Sequence, residues 1–166
     1  MPNDTHSLHT EKLWDLIKDI RFAMFTTRHP NGHLHGCPMT LQNKSVDDGT
    51  LWFFMSRKGE TVLELTRDAM VGVSFADPGK DTYVSLSATA QVMDDPAKAR
   101  ELWSKLNEAW FPAGVDDPNL ALVKVELIHG HYWDVKESKL TQLMLMAKSA
   151  VTGEPPRLGE SGEVRL

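Results

Sequence analysis

The 166-residue sequence predicts an antiparallel β-barrel with helices at its ends and edges. Three observations lead there. About seven segments of strand length are either apolar throughout or alternate apolar with polar. Most are joined by short turns built from Gly, Pro, Asn and Asp. The glycine-rich strand-to-helix turn of a doubly wound parallel sheet is missing, as are a P-loop and a nucleophile elbow.

Taken in order, Met1 to His6 is polar and reads as a frayed end. Leu13, Ile17 and Ile20, with Trp14 beside them, set a first helix over about 7–19. Phe22 to Thr27 is a strand, and His29-Pro30-Asn31-Gly32 a hairpin turn whose Asn-Gly supplies positive φ. The return strand runs from Leu34 to about Gln42, and Asp47-Asp48-Gly49 turns into a buried strand, Leu51 to Met55. A short helix carries Val62, Leu63 and Leu65, and Met70 to Ala76 is the next strand.

Tyr83 to Met93 alternates most clearly: Val84, Leu86, Ala88, Ala90 and Val92 share one face. Asp95-Pro96 caps a helix with Ala99, Leu102, Trp103, Leu106 and Trp110 along one side, stopped at Pro112 and Gly114. Leu120–Ile128 and Gly130–Val135 read as two strands. A last helix, about 140–150, precedes a Gly/Pro-rich tail from Gly153 to Leu166. No repeat or linker divides the chain, so one domain over 1–166 is expected, burying about 70% of its unfolded surface.

The net charge is −5, from 18 Lys and Arg against 23 Asp and Glu, which does not suggest nucleic acid as the main partner. The single cysteine excludes an internal disulfide and fits a reducing compartment. No apolar stretch approaches the roughly 18 residues of a membrane span, and no signal core opens the chain. A soluble, cytoplasmic protein is expected.

Ser56-Arg57-Lys58-Gly59-Glu60-Thr61 follows a buried strand and opens a helix. Unpaired N–H groups, the helix dipole, two hydroxyls and two cations would suit a phosphate there; a solvated turn with a capping serine is the alternative. Trp110-Phe111-Pro112 and Tyr132-Trp133 fall at element ends, where aromatic rings can line the pocket of a flat ligand. A planar heterocycle bearing a phosphate would use both groups.

The other reactive residues are assigned to packing. Cys37 near a strand centre reads as a small packed side chain. His33/His35 and His129/His131 each share a strand face, but no Asp or Glu joins either pair at ligand spacing, so no metal is expected. Leu143-Met144-Leu145-Met146 reads as core or interface packing.

Between Leu13 and Ala150 the ordered markers are Ala23-Met24-Phe25-Thr26-Thr27, Cys37-Pro38-Met39-Thr40, Leu51-Trp52-Phe53-Phe54-Met55-Ser56, Tyr83-Val84-Ser85-Leu86-Ser87-Ala88-Thr89-Ala90, Trp110-Phe111-Pro112 and Tyr132-Trp133-Asp134. In these the sequence resembles the FMN-binding split-barrel superfamily typified by pyridoxamine 5′-phosphate oxidase, and within it the bacterial general stress proteins. The resemblance implies a homodimer with FMN at the subunit interface. Cys37, Pro38, Met39 and Thr40 would run along the flavin, with Phe54 and Met55 flanking it. Ser56, Arg57, Lys58 and Thr61 would hold its phosphate, and Trp110 and Trp133 would approach the ring.

The sequence also departs from the family pattern. Cys37 and Gln42 stand where the oxidase has arginine and lysine, and Ala88 replaces a glycine. Lys58 must substitute for a lysine that stress-protein relatives carry near Thr61. The stretch after Trp133, through Lys139, lacks the arginine and histidine the oxidase uses for its substrate, so oxidation of pyridoxamine phosphate is not expected. The resulting expectation is flavin-dependent oxidoreduction of an unidentified small molecule, with no catalytic acid or base assigned. The alternatives are a flavin reservoir or sensor without turnover, and a split barrel that binds haem or a deazaflavin.

Overall fold

The computed structural model describes residues 4–46, 48–135 and 138–165. Among the described residues, seven strands form one antiparallel sheet: β1 (Phe22–Arg28), β2 (Leu34–Thr40), β3 (Thr50–Ser56), β4 (Met70–Asp77), β5 (Thr82–Met93), β6 (Leu120–Asp134) and β7 (Glu160–Arg165). The order is β2-β1-β4-β5-β6-β3, with β7 added on β6. A bridge between Leu41 and Phe53 brings the two ends of that path together, curling the sheet into a split barrel.

The barrel interior is filled by the inward half of each alternating strand. Phe25, Phe53, Val73, Val84, Leu86, Val123 and Val125 are buried there, and Phe25 meets Phe53 edge-on at 5.5 Å. Helix α1 (Asp4–Ile17) closes one end with Leu13, Leu16 and Ile17, and α2 (Glu60–Arg67) adds Val62 and Leu65. Strand β3 is buried on both faces. Leu51, Phe53 and Met55 enter the barrel, while Trp52 and Phe54 join a second core with Leu102, Phe111 and Leu122. That double burial explains why its sequence is a continuous apolar run.

Four expectations are corrected. The first helix covers Asp4–Ile17 rather than 7–19, so the polar residues after Asn3 are helical; residues 1–3 lie outside the described residues, as do Asp47 of the Asp47-Asp48-Gly49 turn and positions 136–137. The helix after Pro96, α3 (Pro96–Leu102), stops at Trp103, and Lys105–Ala109 is a 3-10 turn. Leu106 and Trp110 are therefore 83% and 78% exposed instead of packed.

The two late strands are one. In β6, Leu127 faces Ala88 and His129 faces Ser87, so Ile128 is an extra residue. This one-residue slip reverses the alternation: Val123, Val125 and Leu127 point inward before it, Gly130 and Tyr132 after it. His129, His131 and Trp133 are thereby carried to the outer face. Finally, the tail is not irregular, because β7 pairs with β6 from His129 to Asp134 and buries Val164 beside Gly130. Strand β6 thus serves β5 along one edge and shares the other between β3 and β7. Helix α4 (Lys139–Thr152) buries none of its residues, so the packing expected of Met144 and Met146 is not made within one chain.

Candidate functional site

The expected site residues fall on two strands that diverge. From the Leu41–Phe53 bridge, supported by the Gln42 N–H donating to the Trp52 carbonyl at 3.0 Å, β2 runs back toward Cys37 and β3 forward toward Ser56. Among the described residues the two strands form no further ladder, and each is paired on its other edge, β2 to β1 and β3 to β6. Thr40, Met39, Pro38 and Cys37 form one bank of this gap; Phe54, Met55 and Ser56 form the other.

The side chains differ along it. Pro38 is exposed, and Cys37, Met39 and Thr40 are half-buried. Phe54 and Met55 are buried, Phe54 against Trp103 at 5.6 Å and Met55 in the barrel. They offer the gap backbone rather than ring or sulfur.

Beyond Ser56 the chain is held by Asn119. The Arg57 N–H donates to the Asn119 carbonyl at 2.7 Å and the Lys58 N–H to Asn119 Oδ1 at 3.3 Å, while Asn119 Nδ2 donates to Ser56 Oγ at 3.0 Å. Arg57 Nη2 donates to the Leu120 carbonyl at 2.9 Å. The serine cap of the alternative reading is not made: α2 starts after Gly59, which provides no side-chain bond. Ser56, Arg57 and Lys58 are exposed and Thr61 is 5% exposed. The turn therefore presents two cations and one hydroxyl outward, with the second hydroxyl turned in.

The tryptophans occupy separate places. Trp133 lies over an apolar groove of about 410 Å³ on the outer sheet face, with Phe22, Met24, Pro38, Tyr83 and Ser85. Trp110 follows a turn pinned from Asn107 to Gln42 and does not reach that groove. None of the main cavities among the described residues joins Ser56–Lys58 to Trp133. A larger, polar depression of about 510 Å³, between α1, the β4–β5 turn and α4, includes none of the expected site residues.

The histidines rearrange most. His33 precedes β2 and turns toward Asn31, so it does not pair with His35. His35 Nδ1 instead lies 2.9 Å from Glu64, a buried carboxylate that also accepts the Thr27 hydroxyl at 3.3 Å, with Glu60 nearby. His129 and His131 meet Glu163 of β7. Both acids are distant in sequence, 29 and 34 residues from their histidines, so no local spacing could reveal them.

Comparison with known proteins agrees with this architecture. Residues 9–157 match the family described as pyridoxamine 5′-phosphate oxidase like. Protein bli-3 of Neurospora crassa is 23% identical over 173 residues, spanning 97% of this chain and 83% of that protein. Among solved structures, the general stress FMN/FAD binding protein of Xanthomonas citri is 32% identical with a TM-score of 0.68, over 80% of this chain and 92% of that one. A protein of the general stress protein 26 type from Jannaschia sp. CCS1 is 26% identical with a TM-score of 0.72, over 95% and 98%. With the barrel order, the split between β2 and β3 and a match over most of its length, the chain belongs to the pyridoxamine 5′-phosphate oxidase-like family of split barrels.

Proposed function

We propose that two copies of this chain hold FMN where they meet, and that the protein carries out flavin-dependent oxidation or reduction of a small molecule. The observation that carries the reading is the gap between β2 and β3, two strand edges diverging from Leu41–Phe53 with Ser56, Arg57 and Lys58 at the open end. The likeness to a Xanthomonas citri protein described as FMN/FAD binding supports it.

The residues fit such a group. Lys58 makes no ion pair with a carboxylate among the described residues. Arg57 donates to a carbonyl and makes no ion pair within 4 Å among the described residues, although Asp94, Asp95, Asp116 and Asp117 line a depression with it. These two, with Ser56, would hold the phosphate through charge-assisted hydrogen bonds. The backbone of Cys37–Thr40 and of Phe54 and Met55 would run along the ring edge. Trp133, Trp110 and Thr61 belong to the same proposal, the tryptophans closing over the ring from either subunit and Thr61 supporting the phosphate turn from within. When bound, the flavin supplies hydride chemistry at N5. The chain's own part is to orient the ring, exclude water and anchor the phosphate. One cysteine and a negative net charge suit a cytoplasmic setting.

The test is a spectral titration of flavin-free protein with FMN and, separately, FAD, alongside sedimentation. One FMN per chain on a dimer is expected; a chain that takes up neither flavin overturns the proposal. A second reading, a flavin-holding stress protein without turnover, draws on the absence of arginine and histidine from Asp134 to Lys139. Rapid bleaching of the bound flavin by NAD(P)H would eliminate it. The absorption spectrum of freshly purified protein separates both readings from haem or a deazaflavin.

A further inference from the structure

We propose that His129, His131 and Glu163 form a binding site for one divalent transition-metal ion, zinc in the first instance, on the outer face where β6 meets β7. Nothing in the flavin reading requires this site, and its geometry follows from strand register alone.

His129 and His131 are two apart on one strand and share a face. The rings stand edge to face with centroids 4.7 Å apart. Glu163 sits directly opposite His131 in the ladder and diagonal to His129, so its carboxylate enters on the same face. It contacts the His129 Nε2. One ligand atom from each of the three lies within 4.8 Å of the other two, so side-chain rotation alone would bring them to the roughly 3–4 Å separations of ligands held about 2.0–2.2 Å from one ion.

The donor set decides the class of ion. Two imidazoles and one carboxylate suit zinc, nickel, copper or iron(II) and disfavour magnesium and calcium, which take oxygen. The side chains of His129 and Glu163 are 36% and 35% exposed, so solvent reaches the site. Three ligands on one face leave a fourth position to water, the pattern of a reactive rather than a purely structural ion.

Two features of the chain produce this arrangement. The extra residue Ile128 turns both histidines outward, and β7 brings in the acid. A second cluster, His35 with Glu60 and Glu64, is the weaker candidate. It has one imidazole, and Glu64 is already engaged by Thr27 and His35.

The experiment uses the full chain without a polyhistidine tag, dialysed against chelator and titrated with Zn²⁺ by calorimetry and with Co²⁺ by visible absorption. One ion per chain with micromolar or tighter affinity is expected. Trp133, 6.1 Å from His131, should report Ni²⁺ or Cu²⁺ through quenching. His131→Asn and Glu163→Gln should each weaken zinc at least about tenfold, while His35→Asn leaves it unchanged. Thermal melts of the metal-free variants guard against misfolding; if His131→Asn does not fold, Glu163→Gln carries the test. Absence of uptake at millimolar zinc overturns the proposal, and so does binding that survives His131→Asn and Glu163→Gln or is lost with His35→Asn.

Discussion

The side-chain amides of Gln42 and Asn107 exchange hydrogen bonds in both directions, Asn107 Nδ2 donating to Gln42 Oε1 at 3.1 Å and Gln42 Nε2 to Asn107 Oδ1 at 3.3 Å. Asn107 is buried and its carbonyl accepts from the N–H groups of Trp110 and Phe111. The pair therefore ties the turn before Trp110 to the closing end of the split barrel. Replacing Asn107 by Ala leaves Gln42 without this partner and should cost about 1–3 kcal/mol. A lower urea midpoint with an unchanged slope would confirm it.

Arg57 and Lys58 separate stability from binding. Lys58 has an exposed side chain with no carboxylate partner among the described residues, so Lys58→Ala should leave the melting temperature nearly unchanged. If its ammonium anchors the phosphate, FMN should bind more weakly by about 1.5–3 kcal/mol. Arg57→Ala also removes the bond to the Leu120 carbonyl and should lower both stability and affinity. Titrating FMN into each variant, with a melt beside it, distinguishes the two; unchanged affinity in Lys58→Ala removes that residue from the site.

How much of this was legible depended on whether the cause was local. Val84, Leu86, Ala88 and Ala90 alternate because β5 has one buried face, and the pattern gave the strand directly. Helix α3 misled because periodicity at Leu106 and Trp110 was outweighed by the distant Gln42–Asn107 pair, which recruits that segment to another surface. The bulge at Ile128 leaves no compositional mark, since only the register with Ser87 and Ala88 defines it. Strand β7 was hidden because Glu160-Ser161-Gly162-Glu163 has no apolar face and depends on β6 for its order. The cationic turn after β3 was visible in sequence; the gap beside it was not, because it is made by two strands failing to pair.

Acid should release α4 before the barrel. Lys139 Nζ donates to both carboxylate oxygens of Asp81 at 2.6 Å, and Gln142 Nε2 donates at 3.0 Å. First the Lys139 hydrogen bond and then that of Gln142 hold the Asp81 carboxyl below its ordinary range. A lowered folded value contributes stability that is present above the unfolded carboxylate pKa, about 3.9, and is lost as pH falls through the folded one. Because α4 buries none of its residues, it has no packed face to hold it once this pair is lost. Amide protection factors across Lys139–Thr152, with the intrinsic exchange rate at each pH divided out, should fall at low pH while those of β5 and β6 are kept. Asp81→Asn should reproduce this at neutral pH, since Asn also tolerates the positive φ of 51° found there.

The tail strand should prove integral to stability. Val164 is 2% exposed beside Gly130, and Val164→Ala should cost about 1.5–3 kcal/mol for two lost carbons and the space they leave. Gly162 faces Tyr132, where an added Cβ would lie 2.8 Å from the ring. The Tyr132 hydroxyl donates to Glu160 at 2.7 Å and fixes the ring, so Gly162→Ala should displace β7. That same bond, followed by burial, raises the phenol above its ordinary value. Its contribution is therefore complete below the unfolded phenol pKa and lost as pH rises through the folded one. Alkaline melts of Glu160→Gln should show a weaker pH dependence, since burial alone then raises the phenol.

The outer sheet face should be an interface between copies. Phe22, Met24, Tyr83 and Trp133 are 70%, 45%, 39% and 47% exposed around one groove, more apolar side chain than a soluble monomer gains by showing. Met24 is central, between Pro38 of β2 and Ser74 of β4, and its sulfur lies over Gly36, where an added Cβ would be 3.3 Å away. In Met24→Glu the new carboxylate remains hydrated in a single chain, so the fold should change by less than about 0.5 kcal/mol. Pressed against a second copy, the same charge would be desolvated without a partner, and association should weaken at least about tenfold. Sedimentation at several concentrations reads this directly. A wild-type dimer giving way to folded Met24→Glu monomers, with FMN affinity falling in parallel, would tie the flavin site to this face; a variant that dimerises as well as the wild type would place the subunit contact elsewhere.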